Sequence, residues 1–175
     1  MTVTIPNPPG IDAAGMGAVF WVPALADPSA PTVAEIGAGV ALSCALDTWS
    51  TTVDQSTTSK SKYCDAQPRQ RLGKPQYSAG PIVYDYDAQG VDTSGNYGYY
   101  DDLTPGLDGF FIDRRGINAM AAIAAGQKVD VWPARLGARV RVDIDPTNTD
   151  GESLRTQQSV SVTGEVLFDV EVVAA

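Results

Sequence analysis

An all-β sandwich or barrel with at most one short helix is the fold class this sequence predicts, on three observations. Beyond residue 40, apolar and polar residues alternate at period two in short runs, the pattern of half-buried strands. Gly 17 and Pro 12 together punctuate the 175 residues about once in six, too often for long helices. Only two short segments carry helix-forming chemistry.

Residues 1–39 are rich in proline and small residues and show no sustained period, so they read as an N-terminal arm with short strand pieces. The single β domain is then 40–175. Its first strand is 40–46, where Val40, Leu42, Cys44 and Leu46 share one face. From Thr48 to Ser61, nine of fourteen residues are Ser or Thr; they have strand propensity but no core to make, so 47–74 is a long exposed hairpin loop. Lys60, Lys62, Arg69, Arg71 and Lys74 make that loop basic.

Ile82 to Asp87 restarts a strand that ends in turn-forming residues. The two helix candidates come next. One is 96–107, aromatic and acidic but interrupted by Pro105; the other is 118–125, with Asn118 as a cap, alanines behind it and Gly126 as a stop. Local chemistry alone favours the second. Short strands are expected at 110–112, 129–132 and 139–145, then a polar turn at 145–151. The tail alternates most strongly, through Val160 and Val162 and then Val166, Phe168, Val170 and Val172, with Gly164 where a bend falls.

The chemistry is bounded by absence. With His 0, every triad or metal site built on imidazole is excluded. Asp85 with Asp87 and Asp143 with Asp145 are i, i+2 carboxylate pairs, but neither sits in an evident apolar cleft, so each reads as a solvated strand face and no enzyme is expected. The oxygen-rich stretch 143–152 fails the calcium-loop register, with Asn148 where Gly is needed and Leu154 where Glu is needed. It reads as a turn with local hydrogen bonds, and neither a metal nor a cofactor is expected. Cys44 and Cys64 read as reduced thiols, Cys44 in the core. No Lys or Arg precedes Lys60, and the longest apolar stretch, around Gly15 to Leu25, is too short and too rich in Gly and Pro to span a bilayer; no signal peptide and no membrane are expected.

Charge order says more. Residues 1–58 carry −5, 59–75 carry +4, 76–113 carry −7, 114–141 carry +5 and 142–175 carry −6, for a net −9. Such blocks either solvate separate faces or let a protruding basic loop meet an acidic surface on another copy. An acidic β protein with a Pro-rich arm and a long Ser/Thr loop favours a structural subunit, and its net charge argues against tight nucleic-acid binding.

Four stretches carry a resemblance. They are Ala24 to Ile36 with the following Gly39 to Leu46; Gly80 to Asp87; Gly109-Phe110-Phe111-Ile112-Asp113-Arg114-Arg115-Gly116; and Ala125 to Ala134, with Gln127 where an acid is usual. In this order the chain resembles the major tail proteins, the tail tube subunits, of long-tailed, non-contractile (siphovirus-type) phages of actinobacteria. The resemblance implies two packed antiparallel sheets with one short flanking α-helix, placed at 96–107. It further implies hexameric rings that stack into a conduit for DNA, which passes without specific binding. The implied partners are copies of the chain, a tape measure protein, and tail-tip and terminator proteins, in a virion tail assembled in the host cytoplasm. On this view Lys60, Lys62, Arg69, Arg71 and Lys74 contact the neighbouring ring, while Phe20 and Trp21 dock the arm on a neighbouring subunit. A tube protein of a contractile injection system and a β-sandwich adhesin or carbohydrate-binding virion protein, stacking sugars on Tyr97, Tyr99 and Tyr100, are the alternatives.

Overall fold

The computed structural model describes residues 13–64, 66–90, 97–143, 147 and 153–174. Within them the chain forms β1 (Gly17–Val22), α1 (Val33–Gly37), β2 (Val40–Ala41), β3 (Leu46–Thr48), β4 (Thr51–Lys60), β5 (Arg69–Ala79), β6 (Ile82–Asp85), α2 (Tyr99–Asp102), β7 (Asp108–Arg115), β8 (Lys128–Arg141), β9 (Arg155–Val162) and β10 (Leu167–Glu171). The fold is mainly β, as predicted.

An eight-stranded antiparallel sheet runs β2-β1-β7-β8-β9-β6-β3, with β10 beside β8, while β4 and β5 form a separate two-stranded ribbon. The outermost strands β2 and β3 are neighbours in sequence, so residues 42–45 tie the two ends of the sheet together and curl it. This explains why 40–46 is not one strand. Ala45 and Leu46 N–H both turn back to Leu42 C=O at 2.9 Å, breaking the run where it leaves one edge for the other. Leu42 and Ala45 enter the core at that corner, whereas Cys44, expected inside, is exposed, as is Cys64, and both thiols are free.

The curled sheet buries both of its faces along β1, β7 and β8. Inside the curl lie Trp21, Leu42, Ile82, Tyr84, Leu103, Phe111, Trp132, Ala134, Leu136 and Val166. On the outer face Val22, Ile36, Ile112, Val129, Val131 and Val172 form a second cluster, covered by α1 and the C-terminal segment. Two-sided burial removes the polar half of the alternation, which is why Gly17–Val22 has no period-two signal. The residues from 17 to 39, expected in an arm, therefore supply an inner strand and a helix of the body. Trp21 is 1% exposed in the chain's own core, which leaves its ring no surface to dock on a neighbour, and Phe20 packs half-buried against the outer cluster.

Helix α1 begins at a reciprocal cap: Thr32 Oγ1 accepts from Glu35 N–H at 3.1 Å and Glu35 Oε2 accepts from Thr32 N–H at 2.9 Å. Helix α2, a single turn, lies inside 96–107, and 118–125 is not helical. Two helices thus replace the single one expected. The runs at 129–132 and 139–145 belong largely to one strand, β8, whose N-terminal part pairs with β10 and whose C-terminal part pairs with β9. Asp143 is exposed; Asp145 and most of the 143–152 turn lie outside the described residues.

Candidate assembly surface

Where a long hairpin loop is expected over 47–74, β4 and β5 form a ribbon that grows out of the hairpin made by β3 and β6 and runs on to Ala79. Gly80 N–H donates to Ser50 C=O at 2.8 Å where the ribbon leaves the sheet, and a Cβ on Gly80 would lie 2.4 Å from Ser50 Oγ, so a side chain there would make the Ser50 hydroxyl turn away. Register then holds from Thr51 opposite Ala79 to Lys60 opposite Arg69, with a bulge between Gln55 and Thr57. Every residue of β4 after Thr51 is exposed. Ser and Thr suit such a ribbon because they satisfy a ladder without needing a core.

The base of the ribbon is anchored by aromatic rings. Tyr77 meets Trp132 edge-on at 6.1 Å and Phe168 at 5.5 Å, and Trp49 lies 4.6 Å from Phe111 with its Nε1–H directed to Asp113 Oδ2 at 3.3 Å. That carboxylate, itself buried, also pairs with Arg115 at 2.6 Å. Beyond the anchor the ribbon carries Lys60, Lys62, Arg69 and Arg71, all exposed, with Lys74 at the bulge. Lys60 stands directly across from Arg69, two like charges at one register position of the ladder. Val53, Leu72 and Tyr63 add exposed apolar surface, Tyr63 fully so. Basic charge and apolar surface thus occur together on an element that has no core of its own.

The opposite end of β6 is acidic. The ribbon joins β6 at Ile82, whereas Asp85 and Asp87 lie at its far end, beside Asp101 and Asp102 of α2 and Asp143 after β8. Asp85 accepts from Ser153 Oγ, and Asp87 Oδ1 accepts from Gln89 N–H at 3.0 Å, so these carboxylates have local partners. Arg139 and Arg141 lie in the same region and offset part of that negative charge, each stacked on an aromatic face: Arg139 lies 4.1 Å from the Tyr100 ring centroid and Arg141 3.8 Å from that of Tyr86. Tyr86 and Tyr100 stack on each other, and Tyr84 meets Tyr99 edge-on. Burial pushes the Tyr99 hydroxyl up to about 12, and it donates to Asp85 C=O at 2.9 Å. Tyr99 and Tyr100 are therefore packed against the sheet, which takes them from the sugar-stacking alternative. The basic block 59–75 falls on the ribbon, while the acidic residues around the end of β6 share their region with Arg139, Arg141 and Arg155; the signal that located the ribbon was the Ser/Thr run followed by cations.

No curated protein matches the chain. A family model described as phage tail tube protein matches residues 5–175. Family members are structural components of the virion tail that assemble with copies of themselves and with other tail proteins. A curled β body with an unburied ribbon is what such a subunit needs, and this chain belongs to the phage tail tube protein family.

Proposed function

We propose that the chain forms hexameric rings that stack into the hollow conduit through which phage DNA is ejected, with the ribbon β4–β5 reaching the adjacent ring. The observation that carries this reading is the exposed, basic ribbon. An element with basic and exposed apolar side chains projects from the start of β6, and Asp85 and Asp87 at the end of that strand, with Asp101, Asp102 and Asp143, offer it carboxylates on another copy. Such a pairing is heterologous, so repeating it generates an open stack rather than a closed dimer. Lys60, Lys62, Arg69, Arg71 and Lys74 set the register of the stack more than its affinity, because rim ion pairs in water are worth about 0–1 kcal/mol each. A net charge of −9 suits a wall that repels phosphates and lets DNA slide. The tape measure, tail-tip and terminator proteins are the partners this role requires, and a siphovirus-type tail of an actinobacterial phage, assembled in the host cytoplasm, is its setting.

Multi-angle light scattering and negative-stain electron microscopy of the purified chain test it, at low and high concentration and with a tail-tip complex as a seed. Six-fold rings and tubes of uniform diameter are expected. Closed rings of another symmetry overturn the hexamer. A strict monomer in the seeded sample, joined by glycan affinity in a binding screen, overturns the conduit in favour of an adhesin.

A further inference from the structure

Arg114 is buried, 0% exposed, and takes part in none of the ion pairs among the described residues. Its guanidinium ends instead on oxygens of one segment. Nη1 donates to Ala122 C=O and to Gln127 Oε1, both at 3.2 Å, and Nη2 to Asn118 C=O at 2.9 Å and Ala119 C=O at 3.5 Å. Nε finds no acceptor, and the Phe20 ring lies 6.0 Å from the guanidinium carbon. A buried cation without a counter-charge is costly unless oxygens take up its donors, and here four oxygens serve the two Nη groups. The carbonyls that satisfy Arg114 are held in place by the same bonds.

Those carbonyls belong to 118–125, the segment whose composition favours a helix. The start of one is present: Asn118 Oδ1 accepts from Met120 N–H at 2.9 Å, and Ala121 N–H reaches Asn118 C=O at 2.9 Å. Propagation then stops. The Ala119 and Ala122 carbonyls face Arg114, and Gly126 N–H bonds to Val172 C=O at 2.8 Å in place of Ala122 C=O. Asn118 C=O accepts from both Arg114 and Ala121 N–H, whereas Ala119 and Ala122 C=O accept from side chains, Arg114 and, for Ala122, also Gln127 Nε2 at 3.3 Å, and from no backbone N–H among the described residues.

We propose that Arg114 is a conformational latch, which holds 118–125 in an irregular form against its helical preference and whose loosening converts the segment to helix. The latched form shapes a recess of about 320 Å³ between the segment and Phe20, Ala41 and Cys44, and leaves Met120 81% exposed at its rim. Release rebuilds that surface, so the latch selects which of two faces the subunit presents. The proposal is independent of ring symmetry and of the ribbon's role.

Arg114→Gln in the full chain, followed by far-UV circular dichroism and by native-state hydrogen exchange at residues 119–125, tests the latch. The variant is expected to keep its strand signal and to gain helix equivalent to about two turns, a gain that a merely structural loss would not produce. Adding Ala121→Gly and Ala124→Gly to the same chain is expected to cancel the gain. Gln127→Ala removes one of the acceptors of Arg114 at a half-buried position and keeps the test open if Arg114→Gln does not fold; exchange at 122–125 should then slow, as the released segment gains helical N–H bonds. A folded Arg114→Gln chain with no added helix overturns the latch. So does Gln127→Ala with unaltered exchange.

Discussion

The pairs β7–β8 and β4–β5 are both long antiparallel couples, yet the first is buried on two faces and the second on almost none. In β7–β8, Phe111 lies opposite Trp132 and Ile112 opposite Val131, so successive residues feed the inner and outer clusters in turn. In β4–β5 the opposed residues are Thr58 with Arg71 and Ser59 with Gln70, and no layer covers either face. The body is held by apolar burial, the ribbon by its ladder and one aromatic anchor. The difference separates residues that determine whether the chain folds from residues free to serve contacts outside it. Isolated two-stranded ribbons are marginal in water, so β4–β5 persists by its continuity with β3 and β6 and by Tyr77 on Trp132.

The largest effect that would sharpen this contrast is Trp132→Ala. Trp132 is 3% exposed and meets Trp49, Tyr77 and Phe168 edge-on, so its removal should cost about 3–5 kcal/mol. Leu72→Ala, at a ribbon residue 71% exposed, should stay within about 0.5 kcal/mol. Urea unfolding measures both, and similar losses at the two positions would dissolve the distinction between body and ribbon.

Much of this division is legible in the sequence, and the misreadings share a cause. The Ser/Thr run and the cations that follow mark the ribbon because an exposed ladder must be polar on both faces. The strand β9 is equally plain, since Val160 and Val162 alternate with solvated partners, whereas the expected alternation from Val166 to Val172 is broken by a bulge between Leu167 and Val170 that sends Val166 to the inner cluster and Val170 and Val172 to the outer one. Trp21 and its neighbours were misassigned to an arm because two-sided burial erases the period on which strand reading depends. Helix α1 carried a readable signal in Thr32-Val33-Ala34-Glu35, a capping box, obscured by the prolines around it. The segment 118–125 misled for the opposite reason. Its local chemistry is helical, but Arg114, adjacent in sequence and buried in the fold, takes its carbonyls, and no propensity scale contains that competition. Leu42 to Leu46 shows a third case, alternation along a segment that turns a corner.

A smaller, pH-dependent effect belongs to the cap of α1. Glu35 is held below the usual carboxylate range by N–H bonds from Ala26 and Thr32 and by the Thr32 hydroxyl. A carboxylate whose folded pKa is depressed contributes stability above its unfolded pKa, which is lost as pH falls through the folded value. Thermal unfolding between about pH 5 and pH 3 should therefore lose less stability in Glu35→Gln than in the parent chain. Parallel curves for the two proteins would show that the cap is not coupled to global unfolding.

The smallest expected change in stability is the one that most directly probes the ribbon. Lys60 faces Arg69 across the ladder, so Lys60→Glu replaces a like-charge pair with an opposite one and should leave the isolated subunit unchanged or stabilise it by a few tenths of a kcal/mol. If the ribbon existed only to complete the fold, that substitution would be an improvement at no cost. In the tube reading it weakens the contact with the next copy, and each additional reversal, such as Arg71→Glu, weakens it further, more so at low salt, where charge pairing is least screened. Denaturation of the monomer and electron microscopy of assemblies, run on the same preparations, separate the two cases. Unimpaired tubes from a doubly reversed ribbon would mean that the cations solvate the ribbon and that its apolar residues, Val53, Tyr63 and Leu72, make the contact instead.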